Sequence, residues 1–271
     1  MTSRTSTVLL SWGLTLFFVL LQSGPAFALL PYVASETAVP VDRGKSRLDL
    51  SFSHDRWTSR LSTYALTGEL SYGLINNLEF SVEVPYLFRT VKGDKDEDGL
   101  GDLTLKAKIR FIKGREANPV SIAGQLAVKF PSCNEDKGLS QECTGEPDVA
   151  IRAIASKEFF PVTVHLNIGY IFIGNPPNAS LDDVFTYSAA FDYLTTAENF
   201  HVVGELAGET NRYPKSAFNP IAKSTSANPL SALVGLMYDV DVNKVLSLAG
   251  NVGLTDASPD YGISVGFRYL F

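Results

Sequence analysis

The sequence predicts an all-β fold, a transmembrane antiparallel β-barrel of about 12 strands in meander order. Apolar and polar residues alternate from residue 47 to the C-terminus, so each predicted strand has one apolar and one polar face. No segment beyond the N-terminal region is an unbroken apolar stretch long enough for a membrane helix. A chain that crosses a membrane without such a helix crosses it as a closed barrel, because lipid offers the backbone no hydrogen-bond partners.

The composition limits the classes of partner. The chain has 271 residues and a formal net charge of −6, with a sequence pI of about 5.1. Lysine and arginine are scattered rather than clustered, so we expect no basic surface that would attract nucleic acid.

The first 28 residues are typical of a cleaved signal peptide. Residues 1–7 carry one basic side chain, Arg4, and residues 8–21 form an apolar core of the usual length. A cleavage site of the small-x-small type ends at Ala28, so we expect the mature chain to begin at Leu29. An uncleaved anchor helix is the alternative, and the short core argues against it.

Residues 29–46 form an irregular segment in which Pro31, Pro40 and Gly44 interrupt any regular pattern. We expect this segment in the periplasm or at the mouth of the barrel. A flexible lead-in to the first strand is an equally good interpretation.

The barrel is predicted to span residues 47–271. In its first strand Leu48, Leu50 and Phe52 share one face, and charged or polar residues share the other. Short turns such as 74–77 alternate with longer loops such as 131–147, as is usual in outer-membrane barrels. The predicted strands are 47–53, 64–72, 78–89, 103–111, 120–130, 149–156, 162–172, 185–193, 200–209, 230–239, 246–255 and 261–271.

The aromatic residues favour a membrane over water as the surroundings of the sheet. They gather near both ends of the predicted strands, with aliphatic residues between them, which suits the two interfaces of a bilayer. The alternative is a soluble β-sandwich or lipocalin-like barrel with its apolar face inward, because alternation alone does not tell which face points outward.

The C-terminal strand carries a second membrane signal. Ser264, Gly266, Tyr269 and Phe271 form a pattern that resembles the terminal assembly signal of bacterial outer-membrane barrels. This resemblance implies the bacterial outer membrane as the location, with outer-membrane lipid and the barrel assembly machinery as partners.

A family resemblance rests on two stretches. Residues 71–86, SYGLINNLEFSVEVPY, and residues 99–111, GLGDLTLKAKIRF, resemble the outer-membrane transporter family that is named for the meta-cleavage pathway of phenol degradation. The resemblance covers about residues 37–271. It implies a barrel that passes small aromatic or hydrophobic compounds, and it supplies no catalytic residues.

Charged residues on the polar faces form the candidate functional site. One interpretation is a constriction with an acidic and a basic wall, whose transverse field orients dipolar solutes. The other, which adjacent opposite charges favour, is cross-strand ion pairing that fills the lumen. The candidate lumen-lining residues are Glu69, Glu79, Glu83, Lys106, Lys108, Arg110, Lys129, Arg152, His165, Asp192 and Glu205.

Two cysteines lie in the long loop that follows the fifth predicted strand. No histidine or second cysteine pair flanks Cys133 and Cys143 at zinc-ligand spacing. We therefore expect a small disulfide loop, formed in an oxidising compartment.

Three aspartates in the loop 92–99 suggest a cation site. Asp94, Asp96 and Asp98 match the first half of a calcium loop, since alternate carboxylates can converge on one cation. Leu105 occupies the position of the last carboxylate ligand, so a solvated loop is favoured and weak divalent binding is the lesser hypothesis.

No catalytic group and no cofactor are expected. His54, His165 and His201 fall on different predicted strands, and satisfied lumen histidines are the default interpretation of the two that face inward. The sequence therefore predicts a passive channel for small-molecule substrates, hydrophobic or aromatic ones among them. The alternative is a closed structural barrel whose lumen is filled by the ionic network and by residues 29–46.

Overall fold

A computed structural model of the chain confirms the predicted fold class. It is a closed antiparallel barrel of 12 strands in which consecutive strands pair with each other. The structure describes residues 32, 34–93, 95–115, 119–133, 145–175, 182–197, 199–210 and 228–271. Among these residues, no helix has the length and apolar character that a membrane crossing requires.

Several strands are longer than the alternation alone indicated, because they extend into the connections. The end of the barrel that carries residues 76–77 and Phe271 is termed the turn end, and the opposite end is termed the loop end. The elements are β1 (Ser46–Arg56), β2 (Leu61–Ile75), β3 (Leu78–Val91), β4 (Glu97–Leu100), β5 (Leu103–Ile112), β6 (Val120–Phe130), β7 (Asp148–Phe159), β8 (Val162–Phe172), β9 (Val184–Leu194), β10 (Phe200–Thr210), β11 (Leu230–Asp241), β12 (Lys244–Gly253) and β13 (Tyr261–Leu270).

The fourth strand of the wall is interrupted. β3 pairs with β5 through residues 78–83 and with β4 through residues 86–89. Pro85 lies at the break, where it has no N–H to donate, and its carbonyl accepts a 2.9 Å bond from the N–H of Gly101. The predicted loop 92–99 is thus partly strand, since Glu97–Leu100 continues the wall beyond the break.

The barrel closes between its first and last strands. β13 pairs with β1 on one side and with β12 on the other, in continuous antiparallel register. Ser46 and Phe271 exchange backbone hydrogen bonds of 2.7 and 2.8 Å at the turn end. Closure removes the open sheet edge that lipid could not satisfy.

Burial decides which face of the sheet points outward. Apolar side chains on the outer face are exposed, as Leu66 at 51% and Ile151 at 50% illustrate. Charged side chains on the inner face are buried, with Lys108 exposed by 1% and Glu79 by 2%. The soluble alternative needs the reverse arrangement, so it is excluded.

Aromatic pairs lie on the outer face towards both ends of the wall. Tyr170 and Phe172 are 5.0 Å apart between ring centroids towards the loop end, and Phe200 and Tyr238 are 4.8 Å apart towards the turn end. An aliphatic belt between two aromatic girdles matches the two interfaces of a bilayer.

Candidate functional site in the barrel lumen

The predicted charges of β2, β3 and β5 meet in one network on the inner face. The ammonium group of Lys106 lies 2.8 Å from the Glu69 carboxylate and 2.6 Å from that of Glu83. Lys108 lies 3.2 Å from Glu79. Register explains the grouping, because Glu79 is directly opposite Lys108 in the β3–β5 ladder.

The network also contains residues that sequence reasoning missed. Arg47 of β1 donates to Asp49 over 2.7 Å and lies 3.5 Å from both Glu69 and Glu79. Arg268 of β13 lies 2.5 Å from Asp49. Alternation indicated that Arg47 and Asp49 point inward, but the approach of Arg268 depends on closure of the barrel.

The arrangement is one of paired charges rather than of two separated walls. Each network cation lies within an ion-pair distance of a carboxylate, and several of these groups are almost inaccessible to water. A paired, dry network of this kind rigidifies the wall, and its field across the lumen is small because neighbouring charges cancel.

The segment before β1 is a part of the lumen, a position that only the closed-barrel alternative expected. Residues 34–45, here named the N-terminal segment, were expected in the periplasm or at the barrel mouth. Instead they run inside the barrel from the turn end, where Gly44 donates to the carbonyl of Gly73 over 2.7 Å. The physical reason is that inward-facing polar side chains satisfy the backbone of this segment.

Backbone N–H groups of the N-terminal segment bind one strand of the wall after another. Those of Val41, Ala38 and Glu36 donate in turn to Glu79 over 2.6 Å, to Ser156 over 2.9 Å and to Asn167 over 3.0 Å. Further along, the N–H groups of Ala34 and Ser35 both donate to one carboxylate oxygen of Glu205, over 3.1 and 2.6 Å. The segment therefore crosses the lumen from β3 to β10.

Glu36 joins the N-terminal segment to the ionic network. Its carboxylate lies 3.3 Å from the ammonium group of Lys108. Burial alone would raise the pKa of Glu36, but Lys108 and three further cations hold that pKa below its ordinary value. Glu36 is therefore an ionised anchor.

Apolar contacts add to these bonds. Ala38 is fully buried and packs against Ala123 and Ile154 of the inner wall. Tyr32 packs against a cluster of inward-facing apolar side chains and meets the ring of His165 edge-on at 6.0 Å. That cluster consists of Val203, Leu233, Met237, Val245 and Ala249. Sequence reasoning missed these residues, because they stand on faces that otherwise carry polar groups.

The remaining predicted residues lie at several levels of the lumen. Lys129 lies 2.7 Å from Asp148 at the loop end. Arg110 donates to the carbonyl of Asn76 over 3.0 Å at the turn end, away from the network. His165 shares a 2.8 Å hydrogen bond with Ser156.

Asp192 belongs to a small cluster near the turn end. Its carboxylate lies 2.8 Å from Nδ1 of His201, whose Nε2 lies 3.2 Å from Asp239. The sequence predicted Asp192 as a lumen residue, and register on β9, β10 and β11 brings His201 and Asp239 to it.

A cavity of about 240 Å³ lies on the loop side of the N-terminal segment. Ala34 and the segment-binding residues Asn167 and Ser188 form part of its lining. Arg152 is the predicted lumen residue that stands in its wall, together with Asp55.

Some predictions fall outside the described residues. The signal peptide 1–28, Cys143 and Asp94 are among them, so cleavage, the Cys133–Cys143 disulfide and the cation site stay predictions. Asp98 accepts a hydrogen bond from the Tyr86 hydroxyl. Within the described ranges, no group of three or more histidine, cysteine, aspartate or glutamate side chains is arranged to hold a metal ion.

The solved structures that resemble this barrel include an outer membrane channel and porins. An outer membrane channel from Pseudomonas putida F1 has a TM-score of 0.71 at 16% identity, over 89% of this chain and 100% of that chain. The NanC porin has a TM-score of 0.57 at 11% identity, over 82% and 98% of the two chains. The KdgM porin in complex with disordered oligogalacturonate has a TM-score of 0.53 at 12% identity, over 82% and 99%. At these identities the likeness shows a shared fold.

The membrane and the family follow from these findings. The apolar belt, the aromatic girdles and the shared fold make the protein a β-barrel of the bacterial outer membrane. No protein of curated function matches the sequence. Residues 31–271 match the family described as "Putative MetA-pathway of phenol degradation", and the chain therefore belongs to that family.

Proposed function

We propose that the protein is a passive outer-membrane channel for small molecules, including hydrophobic or aromatic ones. Its family and its closed barrel with a lipid-facing belt support this function. No covalent step is involved, and solutes diffuse through the lumen past the N-terminal segment.

The observation that carries the proposal is the way in which the N-terminal segment sits in the lumen. Apart from an isolated bridge between Arg43 and Gly73, the described part of the segment is held by side chains rather than by a strand ladder. Hydrogen bonds of that kind have a modest net free energy, about 1 kcal/mol each, or about 1.5–3 kcal/mol where a carboxylate accepts the bond. The segment can therefore leave its place while the ladder of the wall stays intact, which opens a path from the cavity to the turn end.

A closed structural barrel is the second candidate, and a specific observation favours it. Glu79 and Lys108 are exposed by only 2% and 1%, so these two inward side chains are almost inaccessible to water while the segment is in place. If the segment never leaves, the barrel conducts nothing and serves as a rigid membrane scaffold.

Single-channel conductance in a planar bilayer distinguishes the two candidates. The chain from residue 29 onward is compared with a deletion of residues 29–42, which keeps Gly44 and Ser46 for closure of the turn end. A channel should show small or rare openings that become large and frequent in the deletion. Glu205→Gln, which removes the charge that anchors Ala34 and Ser35, should have an intermediate effect.

Either of two results would contradict the proposal. A folded deletion variant that stays silent favours the closed barrel, because the ionic network alone would then fill the lumen. A deletion variant with the same conductance as the parent chain shows that the segment does not limit passage. The substrate class is checked with liposomes, which a neutral aromatic probe such as benzamide should enter faster when they contain the protein.

A further inference from the structure

The cavity above the N-terminal segment has one wall whose chemistry the channel function leaves unexplained. Arg152 projects from β7 into the lumen and lines the cavity. Arg47, Lys106, Lys108, Lys129 and Arg268 each lie within an ion-pair distance of a carboxylate. Among the described residues, Arg152 has no such partner. Glu36, an acid that feels the charge of Arg152, is already paired with Lys108.

A threonine hydroxyl lies close to Arg152 on the inner wall. The neighbour of Arg152 in the β7–β8 ladder is Gly169, and the next residue around the wall is Thr186 of β9. A Cβ on Gly169 would lie 2.6 Å from the Thr186 hydroxyl oxygen, 3.0 Å from the Ile151 carbonyl oxygen and 3.6 Å from the Arg152 Cβ. Glycine at this position therefore lets the Thr186 hydroxyl approach Arg152, and both side chains are hydrogen-bond donors.

The acids that line the cavity do not pair with Arg152. Asp55 stands in β1, across the lumen from β7, and accepts a 3.2 Å hydrogen bond from Asn251. Glu209 already takes part in another interaction. The rest of the lining includes apolar groups, among them Trp57, Ala207 and Pro229.

We propose that this cavity binds a small organic anion, with its carboxylate between Arg152 and Thr186 and its apolar body against the remaining lining. Arginine is suited to this role because its planar fork binds both oxygens of a carboxylate. The inference rests on the proposed function for the route by which a solute arrives. Binding itself needs no passage through the barrel, so the two can fail separately.

Trp57 makes the inference measurable. The chain has two tryptophans, and the other, Trp12, precedes residue 29. In the detergent-solubilised chain from residue 29 onward, tryptophan fluorescence therefore reports on the cavity wall. The probes are benzoate and benzamide, which have almost the same shape but differ in charge.

Benzoate should change the fluorescence in a saturable manner, and benzamide should bind at least about tenfold more weakly. Arg152→Gln should weaken benzoate binding by a similar factor, and Gly169→Ala should also weaken it because its methyl group would displace the Thr186 hydroxyl. Arg152→Lys should recover only part of the affinity. Lys244→Gln, which removes a cation outside the cavity, should bind benzoate like the parent chain.

Three results would overturn the inference. They are equal affinity for benzoate and benzamide, unchanged benzoate affinity in a folded Arg152→Gln barrel, and no saturable binding by fluorescence or calorimetry up to about 10 mM. Conductance of the same preparations tests the channel separately, so a silent protein that binds benzoate refutes only the proposed passage.

Discussion

Lys108 shows at the scale of a single residue how the lumen is stabilised. It is almost fully buried, and its ammonium group lies between Glu79 at 3.2 Å and Glu36 at 3.3 Å. The attraction between this buried cation and the two carboxylates offsets the free-energy cost of removing the cation from water. The same residue thus links the wall of the barrel to the N-terminal segment.

Replacement of Lys108 by Met should leave two buried carboxylates without their shared cation. Removal of one partner from a buried pair costs about 3–5 kcal/mol, so the free energy of unfolding should fall by that amount. Guanidinium unfolding of the folded barrel measures it. Lys244→Met breaks the partly exposed pair with Asp241 and should cost no more than about 1 kcal/mol. Equal losses in the two variants would contradict the role given to Lys108.

At the scale of an element, the N-terminal segment depends on a close approach to β2. A Cβ on Gly73 would lie 2.1 Å from the carbonyl oxygen of Asp42 and 2.5 Å from that of Val41. Backbone atoms cannot move aside as a flexible side chain can. Only glycine therefore allows the segment to turn from β1 into the lumen along this course.

Gly73→Ala should release the N-terminal segment without unfolding the wall. Strain of about 1–3 kcal/mol raises the released population by a factor between about 5 and about 150, and protease cleavage within the segment should accelerate by that factor. Gly68→Ala is the matched control, since its Cβ would meet only the Leu50 side chain at 3.6 Å. Identical cleavage rates in the two variants would show that the approach at Gly73 does not hold the segment.

At the scale of the whole molecule, the outer surface determines where the barrel can exist. Large apolar side chains on the outside of the wall are exposed, such as Leu126 at 47% in the middle of β6. A surface of this kind would aggregate in water, whereas in lipid it matches its surroundings.

Leu126→Arg should destabilise the barrel in a lipid bilayer by about 2–4 kcal/mol, because the new charge lies near the bilayer midplane. Val242→Arg, in the turn between β11 and β12, should cost about 1 kcal/mol or less, because the charge reaches water. Reversible unfolding in phospholipid vesicles measures both losses. A loss that does not depend on depth would count against the placement of the belt in lipid.

Alternation predicted most of the fold because a wall between lipid and a polar lumen imposes it on every strand. The predicted bounds of 120–130 and 162–172 agree with β6 and β8 as observed. The break at Pro85 was missed, because a change of pairing partner within β3 leaves the alternation of β3 intact. The candidate site was predicted less well, since Arg110 lies at the turn end and Lys106 and Lys108 are already paired.

The sequence by itself determined the number of strands, the face of each strand that is apolar and the positions at which inward charges stand. These are local properties, because successive side chains of a strand alternate between its two faces. Only the tertiary structure decided which charges meet, as with Arg268 and Asp49, which are 219 residues apart and become neighbours when β13 closes on β1. The tertiary structure also decided that the N-terminal segment lies in the lumen. Its hydrogen-bond partners stand on β3, β7, β8 and β10, and these four strands enclose a common space when the barrel closes.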